Sequence, residues 1–214
     1  MALSFPLGLA VFQNTLKLNQ VATLELREFY TESGTASGAL LRTQLAAPKW
    51  AGGVGMPTMS RAQAQKTIGL LDTIGALGAF LWADPARAYP ALDPDGAIVS
   101  GSAVTVQSIG GDGASLAIAG LPADYALSAG DLVSIEHNGQ HALHQLVADV
   151  SASGAGVTPE FEVRPHVKAW SGAGQTVHVE RPRALMKLTG VQRGAMDLDR
   201  LWRGLGFEMI EGGA

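Results

Sequence analysis

Cysteine is absent from the 214-residue sequence. No disulfide framework can form and no thiolate is available as nucleophile or metal ligand, so stability has to come from core packing and assembly. Aromatic residues make up only 6% of the chain, which leaves few side chains for a stacking platform. No apolar run reaches the roughly 18 residues that a bilayer-spanning helix requires, so membrane insertion is not expected. The opening MALSFPLGLAVFQN lacks a basic start and carries Pro6 inside its short apolar run. That is a poor secretory signal, and the expectation is a soluble protein made in the cytoplasm. Basic residues are missing from the whole stretch between Arg87 and Arg164, and no Lys/Arg cluster is interleaved with aromatics elsewhere. With a net charge of −4, the chain offers no positive field for a nucleic-acid backbone, and nucleic-acid binding is not expected.

What the sequence has in quantity is hydrophobic content, at 47% against 16% charged residues, far from the composition of a disordered chain. Twenty-seven glycines and ten prolines suit many short elements joined by tight turns, so the expected class is mainly β. The stretch without basic residues carries nine acids, from Asp93 to Glu162, whereas the rest of the chain sets fifteen basic residues against ten acids. Surfaces of opposite sign imply different units. Turn-rich ADPARAYPALDPDG (Ala83 to Gly96) and ERPR (Glu180 to Arg183) mark the same borders. These observations predict a discontinuous parent domain over residues 1–92 and 181–214, with an inserted all-β domain over 93–180.

In the first flank, VATLELREFY (Val21 to Tyr30) and ALLRTQLAAPKW (Ala39 to Trp50) read as antiparallel strands joined by the small-residue turn ESGTASG. The run from Ser60 predicts a helix over about 60–77. Ser60 with Gln63 approximates a capping box, Ala64, Ile68, Leu71 and Ile74 share a face at 3.6-residue spacing, and Gly78 is the expected stop. GAFLWADP (Gly78 to Pro85) follows as a short strand with Trp82 in the core. The middle alternates apolar runs with glycine turns, about six strands that suit a small barrel or sandwich. ALMKLTG (Ala184 to Gly190) and AMDLDRLWRGLGFEMIEG (Ala195 to Gly212) return as strands to the parent sheet.

The chemistry-bearing residue type that clusters is histidine: His137, His141 and His144 lie within eight positions in EHNGQHALHQ. Asn138-Gly139 between alternating runs is a strong signal for a hairpin with a two-residue type I′ turn. That turn pairs His137 with Gln140, Glu136 with His141 and Val133 with His144. His141 then faces away from His137 and His144, which share a face but stand roughly 13 Å apart along the ladder. A tetrahedral zinc site needs donors about 2 Å from one ion, so these histidines are not expected to form a metal site. His166 and His178 have no partner identifiable from sequence. Asp93-Pro94-Asp95-Gly96 reads as a β-turn, lacking the further ligand positions of a calcium loop. Asp197 and Asp199, two apart, share a face if they lie on a strand. No nucleophile elbow, phosphate loop, metalloprotease motif or dinucleotide fingerprint occurs, so neither a cofactor nor an enzymatic activity is expected.

The order of these elements carries a resemblance. A strand ends in Lys49-Trp50, MPTMSRAQA (Met56 to Ala64) opens the helix, and GAFLWADP leaves it. An insert follows with AGDLVSIEHNGQHALHQLVADVSASGAG (Ala129 to Gly156) and EFEVRPHVKA (Glu160 to Ala169), then VHVERPRALMKLTG (Val177 to Gly190) and a closing strand pair. From about Val21 to Ile210 this resembles the distal tail protein family of long-tailed, siphovirus-type bacteriophages and related tail-like particles. The histidine-rich hairpin departs from that pattern. The resemblance implies a β-sandwich ring domain with one packed α-helix and an inserted small β-barrel or sandwich. It also implies a structural virion protein, made in the host cytoplasm, forming a homohexameric ring at the tail tip. Its partners would be the tail tube protein, the baseplate hub protein and receptor-binding or fibre proteins.

Candidate interaction residues follow from both lines. Arg200 and Arg203 in the basic flank are expected to help dock adjoining tail proteins electrostatically. The alternative function, a carbohydrate-binding module of a tail adsorption apparatus, would need an aromatic platform, for which Tyr125 and Trp170 are the candidates in the insert.

Overall fold

Two hydrophobic clusters organise the chain, and the computed structural model describes them over residues 5–9, 21–34, 38–75 and 77–212. Residues 1–4 and 10–20 of the opening segment and 35–37 of the ESGTASG turn lie outside the described residues. The first cluster belongs to an antiparallel sheet built from both ends of the chain. Its strands are β1 (Val21–Gly34), β2 (Leu40–Gly55), β3 (Met59–Ser60), β4 (Ala79–Ala83), β13 (Arg183–Met196) and β14 (Leu201–Glu211). They run in the order β1-β2-β14-β13-β4, with β3 on β14. Phe207 on β14 is the packing centre: Phe80 and Trp82 of β4 meet it edge-on at 6.3 and 6.1 Å.

The helix α1 (Arg61–Ile74) starts where Ser60 and Gln63 form the expected capping box. It buries Ala64, Thr67, Leu71 and Ile74 toward the sheet, while Ile68 packs at the margin. Its end comes earlier than Gly78. Gly75, at φ +54°, takes the C-cap and donates to Leu71 O, because only glycine enters that backbone region without strain.

The second cluster fills a closed barrel. Its wall consists of β5 (Thr105–Ile109), β6 (Ser115–Ala119), β8 (Leu132–His137), β9 (Gln140–Leu146), β11 (Phe161–Arg164) and β12 (Thr176–His178). The order around it is β11-β6-β5-β12-β8-β9, closing where β11 pairs with β9. A two-stranded ladder of β7 (Ala126–Leu127) and β10 (Val150–Ser151) lies beside it. Inward residues such as Val106, Ile118, Val133, Ile135, Val163 and Val177 are buried together, as the period-2 alternation requires. The mainly β class, the one helix and the small barrel agree with the sequence analysis.

The barrel wall serves as a second layer for the sheet. Leu132 and Leu143, on the outer face of β8 and β9, are buried in the sheet's cluster rather than the barrel's. Trp50 Nε1 donates to Leu143 O at 2.7 Å across this junction. Beside it, the buried Glu211 carboxylate accepts the Trp50 backbone N–H at 3.3 Å and pairs with Lys168 of the insert at 3.3 Å. A buried carboxylate is retained only when paired and hydrogen-bonded, and here both conditions are met.

Two ribbons leave the body. β1 and β2 stay paired out to Gly34 opposite Leu40, past a bulge at Arg27–Phe29, and residues 40–47 of β2 are all exposed. β13 and β14 stay paired out to Met196 opposite Trp202, with residues 192–196 exposed. Gly194, at φ +61°, faces a crowded spot where an added Cβ would meet Arg203 O at 2.2 Å, so the bend there needs glycine. Asp197 and Asp199 sit in the turn between these strands, not on a strand. The Asp199 carboxylate turns the chain back by accepting Leu201 N–H at 3.0 Å, and Arg200 takes φ +63°.

Trp50→Phe keeps a ring at the junction but removes its donor and strands the Leu143 carbonyl. Urea unfolding is expected to show a loss of about 1–3 kcal/mol with little change in slope.

Candidate functional site

Asn138 and Gly139 both take positive φ, +49° and +77°, and the β8–β9 register is the one their turn predicts. His137 pairs with Gln140, Glu136 with His141, and Val133 with His144. The three imidazoles of the hairpin therefore stand apart. His137 stacks on Trp170, with ring centroids 6.2 Å apart. His144 is fully buried and its Nδ1 lies 2.8 Å from Pro165 O; a carbonyl only accepts, so Nδ1 carries the proton. Burial holds the His144 imidazole neutral, with its pKa pushed down to about 4.

His141 faces outward from the barrel and enters a different group. β12 lies beside β8, and Glu136 Oε2 is 2.5 Å from His178 Nε2 and 4.0 Å from His141 Nε2. The His141 and His178 ring centroids are 5.9 Å apart. Arg183, the first residue of β13, places a guanidinium nitrogen 2.8 Å from His178 Nδ1, while its backbone N–H donates to Ser134 Oγ at 3.0 Å. Guanidinium only donates, so His178 accepts at Nδ1 and donates from Nε2 to Glu136. Burial pushes the His141 pKa down to about 4 against the attraction of Glu136, and it pushes that of His178 down as well. Burial also works to raise Glu136, but the hydrogen bond from His178 and the neighbouring positive charge outweigh it and hold the carboxyl below its ordinary range.

Sequence reasoning found the Glu136–His141 pair and missed His178 and Arg183. The alternation in TVHVE puts His178 on the outer face of a strand, but which strand lies next to it depends on barrel closure, 42 residues away.

The four candidate interaction residues fall in three places. Tyr125 is 5% exposed in the barrel core, and its hydroxyl donates to Asp93 Oδ2 at 3.1 Å. Burial and the Asp93 charge push the phenol's pKa up. Asp93 itself caps Ile98 and Val99; those N–H bonds and the Tyr125 hydroxyl outweigh desolvation and keep its carboxyl low. The Asp93–Gly96 segment is thus a turn, closed by Gly96 N–H to Asp93 O at 2.9 Å. Trp170 is half-buried, with one neighbour already stacked on it. Tyr125 is corrected from platform candidate to core residue, since its ring is packed in the barrel cluster and its hydroxyl is bound to Asp93, which leaves no face open to a sugar. Arg203 grips Asp197 and Asp199, each at 2.6 Å, which holds the guanidinium in its charged form but screens that charge locally. Arg200 is exposed at the tip of the same ribbon.

A cleft of about 590 Å³ lies between the β1–β2 ribbon and the 164–169 segment of the insert, with Phe29, Tyr30, Arg42, Pro165 and Lys168 among its walls. No family model matches this chain, and no curated protein matches it either.

Because unfolded histidine titrates near 6.5 and buried His144 near 4, the unfolded state takes up the proton first as pH falls. Folding stability is expected to decline between about pH 6.5 and 4. In denaturant titrations His144→Gln should remove a share of that slope on the order of 3 kcal/mol across the window.

Proposed function

We propose that this chain is a structural virion protein, the distal tail component whose copies close into a hexameric ring joining tail tube to baseplate hub. The observation that carries the proposal is the pair of ribbons. Tyr30, Leu40, Leu41 and Leu45 are exposed on one, and Met196, Leu198 and Leu201 on the other. Apolar residues at this density on projecting strands call for a partner that buries them. The outer side of β1, a 14-residue edge strand, has no strand partner among the described residues, and such an edge is normally paired or covered. A ribbon received by a neighbour's sheet is a heterologous contact, which closes into a ring when the rotation permits.

In this arrangement the acidic barrel projects toward receptor-binding or fibre parts, and the tail tip is the protein's location. Of the two arginines suggested for docking, Arg200 has the more available charge, because Arg203 is engaged with its own turn. The carbohydrate-binding alternative is the weaker reading, since it loses Tyr125 and retains only a Trp170 that is already stacked.

Negative-stain images of purified protein, alone or mixed with tail tube protein, are expected to show six-fold annuli. Combining Leu41→Asp with Leu198→Asp should yield monomers with an unchanged circular-dichroism spectrum, because both side chains are exposed in the single chain. A wild-type monomer that persists at high concentration under both conditions overturns the proposal.

A further inference from the structure

We propose a divalent-metal site of the zinc class on the outer wall of the barrel, formed by Glu136, His141 and His178. These residues stand on three adjacent strands. Glu136 on the central β8 lies directly opposite His141 on β9, while His178 on β12 lies opposite Ser134, one diagonal away. Alternation turns all three to the same face. One ligand atom from each falls within 4.8 Å of the others. Bonds of about 2.0–2.1 Å in a tetrahedral zinc site put donors roughly 3.3 Å apart, so small side-chain rotations close the set.

His141 is the observation that asks for a ligand. It is 5% exposed, its Nδ1 has no hydrogen-bond partner among the described residues, and its Nε2 is 4.0 Å from Glu136, too long for a hydrogen bond. Neither ring nitrogen of His141 has a hydrogen-bond partner among the described residues, and an ion on Nε2 gives that nitrogen a partner while Nδ1 keeps the proton. The donor set selects the ion. Two imidazoles with one carboxylate suit zinc and neighbouring late first-row metals, whereas calcium and magnesium require oxygen ligands.

The competitor is Arg183. Without metal, a proton on His178 Nε2 bridges to Glu136 and the guanidinium satisfies His178 Nδ1. An ion on Nε2 takes the place of that proton, which shifts to Nδ1, and Arg183 must then withdraw because two donors would face each other. An opening of about 350 Å³ beside His178 and Arg183 provides the room. The metal would pin β8, β9 and β12 where the chain passes back into the parent sheet. This inference stands apart from the ring reading, and its failure would leave that reading untouched.

The test is calorimetric titration of chelator-stripped full-length protein with Zn²⁺, and Co²⁺ as a visible-absorption probe of tetrahedral geometry. One ion per chain is expected, bound more than about tenfold more weakly by His141→Ala and His178→Ala, and more tightly by Arg183→Gln, which removes the competing cation. Glu136→Gln, nearly isosteric and partly exposed, carries the test if a histidine variant fails to fold, with circular dichroism as the check. The proposal is overturned if neither wild type nor Arg183→Gln binds Zn²⁺ stoichiometrically. It is equally overturned if affinity is indifferent to His141→Ala and Glu136→Gln.

Discussion

The architecture depends on one wall with two working faces. Strands β8 and β9 turn Val133 and Ile135 into the barrel and Leu132 and Leu143 into the parent sheet, so a single hairpin closes both hydrophobic clusters. Neither cluster is complete without it. Burying Leu132 and Leu143 contributes about 1.5–3 kcal/mol per side chain, and the Trp50 bond to the Leu143 carbonyl fixes the angle at which the barrel meets the sheet.

Around this apolar contact, the polar groups of the junction are paired in a way that makes the docking specific. Lys168 from the insert reaches the buried Glu211 of β14, and the Arg183 backbone reaches Ser134 on the barrel. Each bond would leave a buried polar group unsatisfied if the barrel slipped, which disfavours alternative dockings more strongly than it favours the native one. Glu136, His141 and His178 occupy the same face because the β8–β9 and β12–β8 registers and strand alternation turn them to one side.

The ribbons show the opposite economy. Both continue their ladders well beyond the region that α1 and the barrel cover, carrying apolar residues into solvent. A monomer gains little from such extensions, since a two-stranded ribbon by itself is marginally stable. In the proposed ring, neighbouring copies bury what these extensions expose.

Much of this was legible locally. The Asn138-Gly139 turn set the β8–β9 register, and Ser60 and Gln63 set the helix start. These are short-range or compositional properties, decided by backbone preference and alternation within a few residues. Other features were not legible, for one shared reason: they depend on which distant strands become neighbours. The partnership of His178 with Glu136 follows from barrel closure, the burial of Tyr125 against Asp93 from how the Asp93–Val99 segment folds against the barrel, and the engagement of Arg203 from a turn where spacing suggested a strand. Element types and the β8–β9 register were readable from the chain alone, because each is set by local sterics and periodicity. The tertiary structure alone decided which face of β8–β9 met the sheet and which imidazoles met a carboxylate, because those pairings are chosen by the burial of the whole chain.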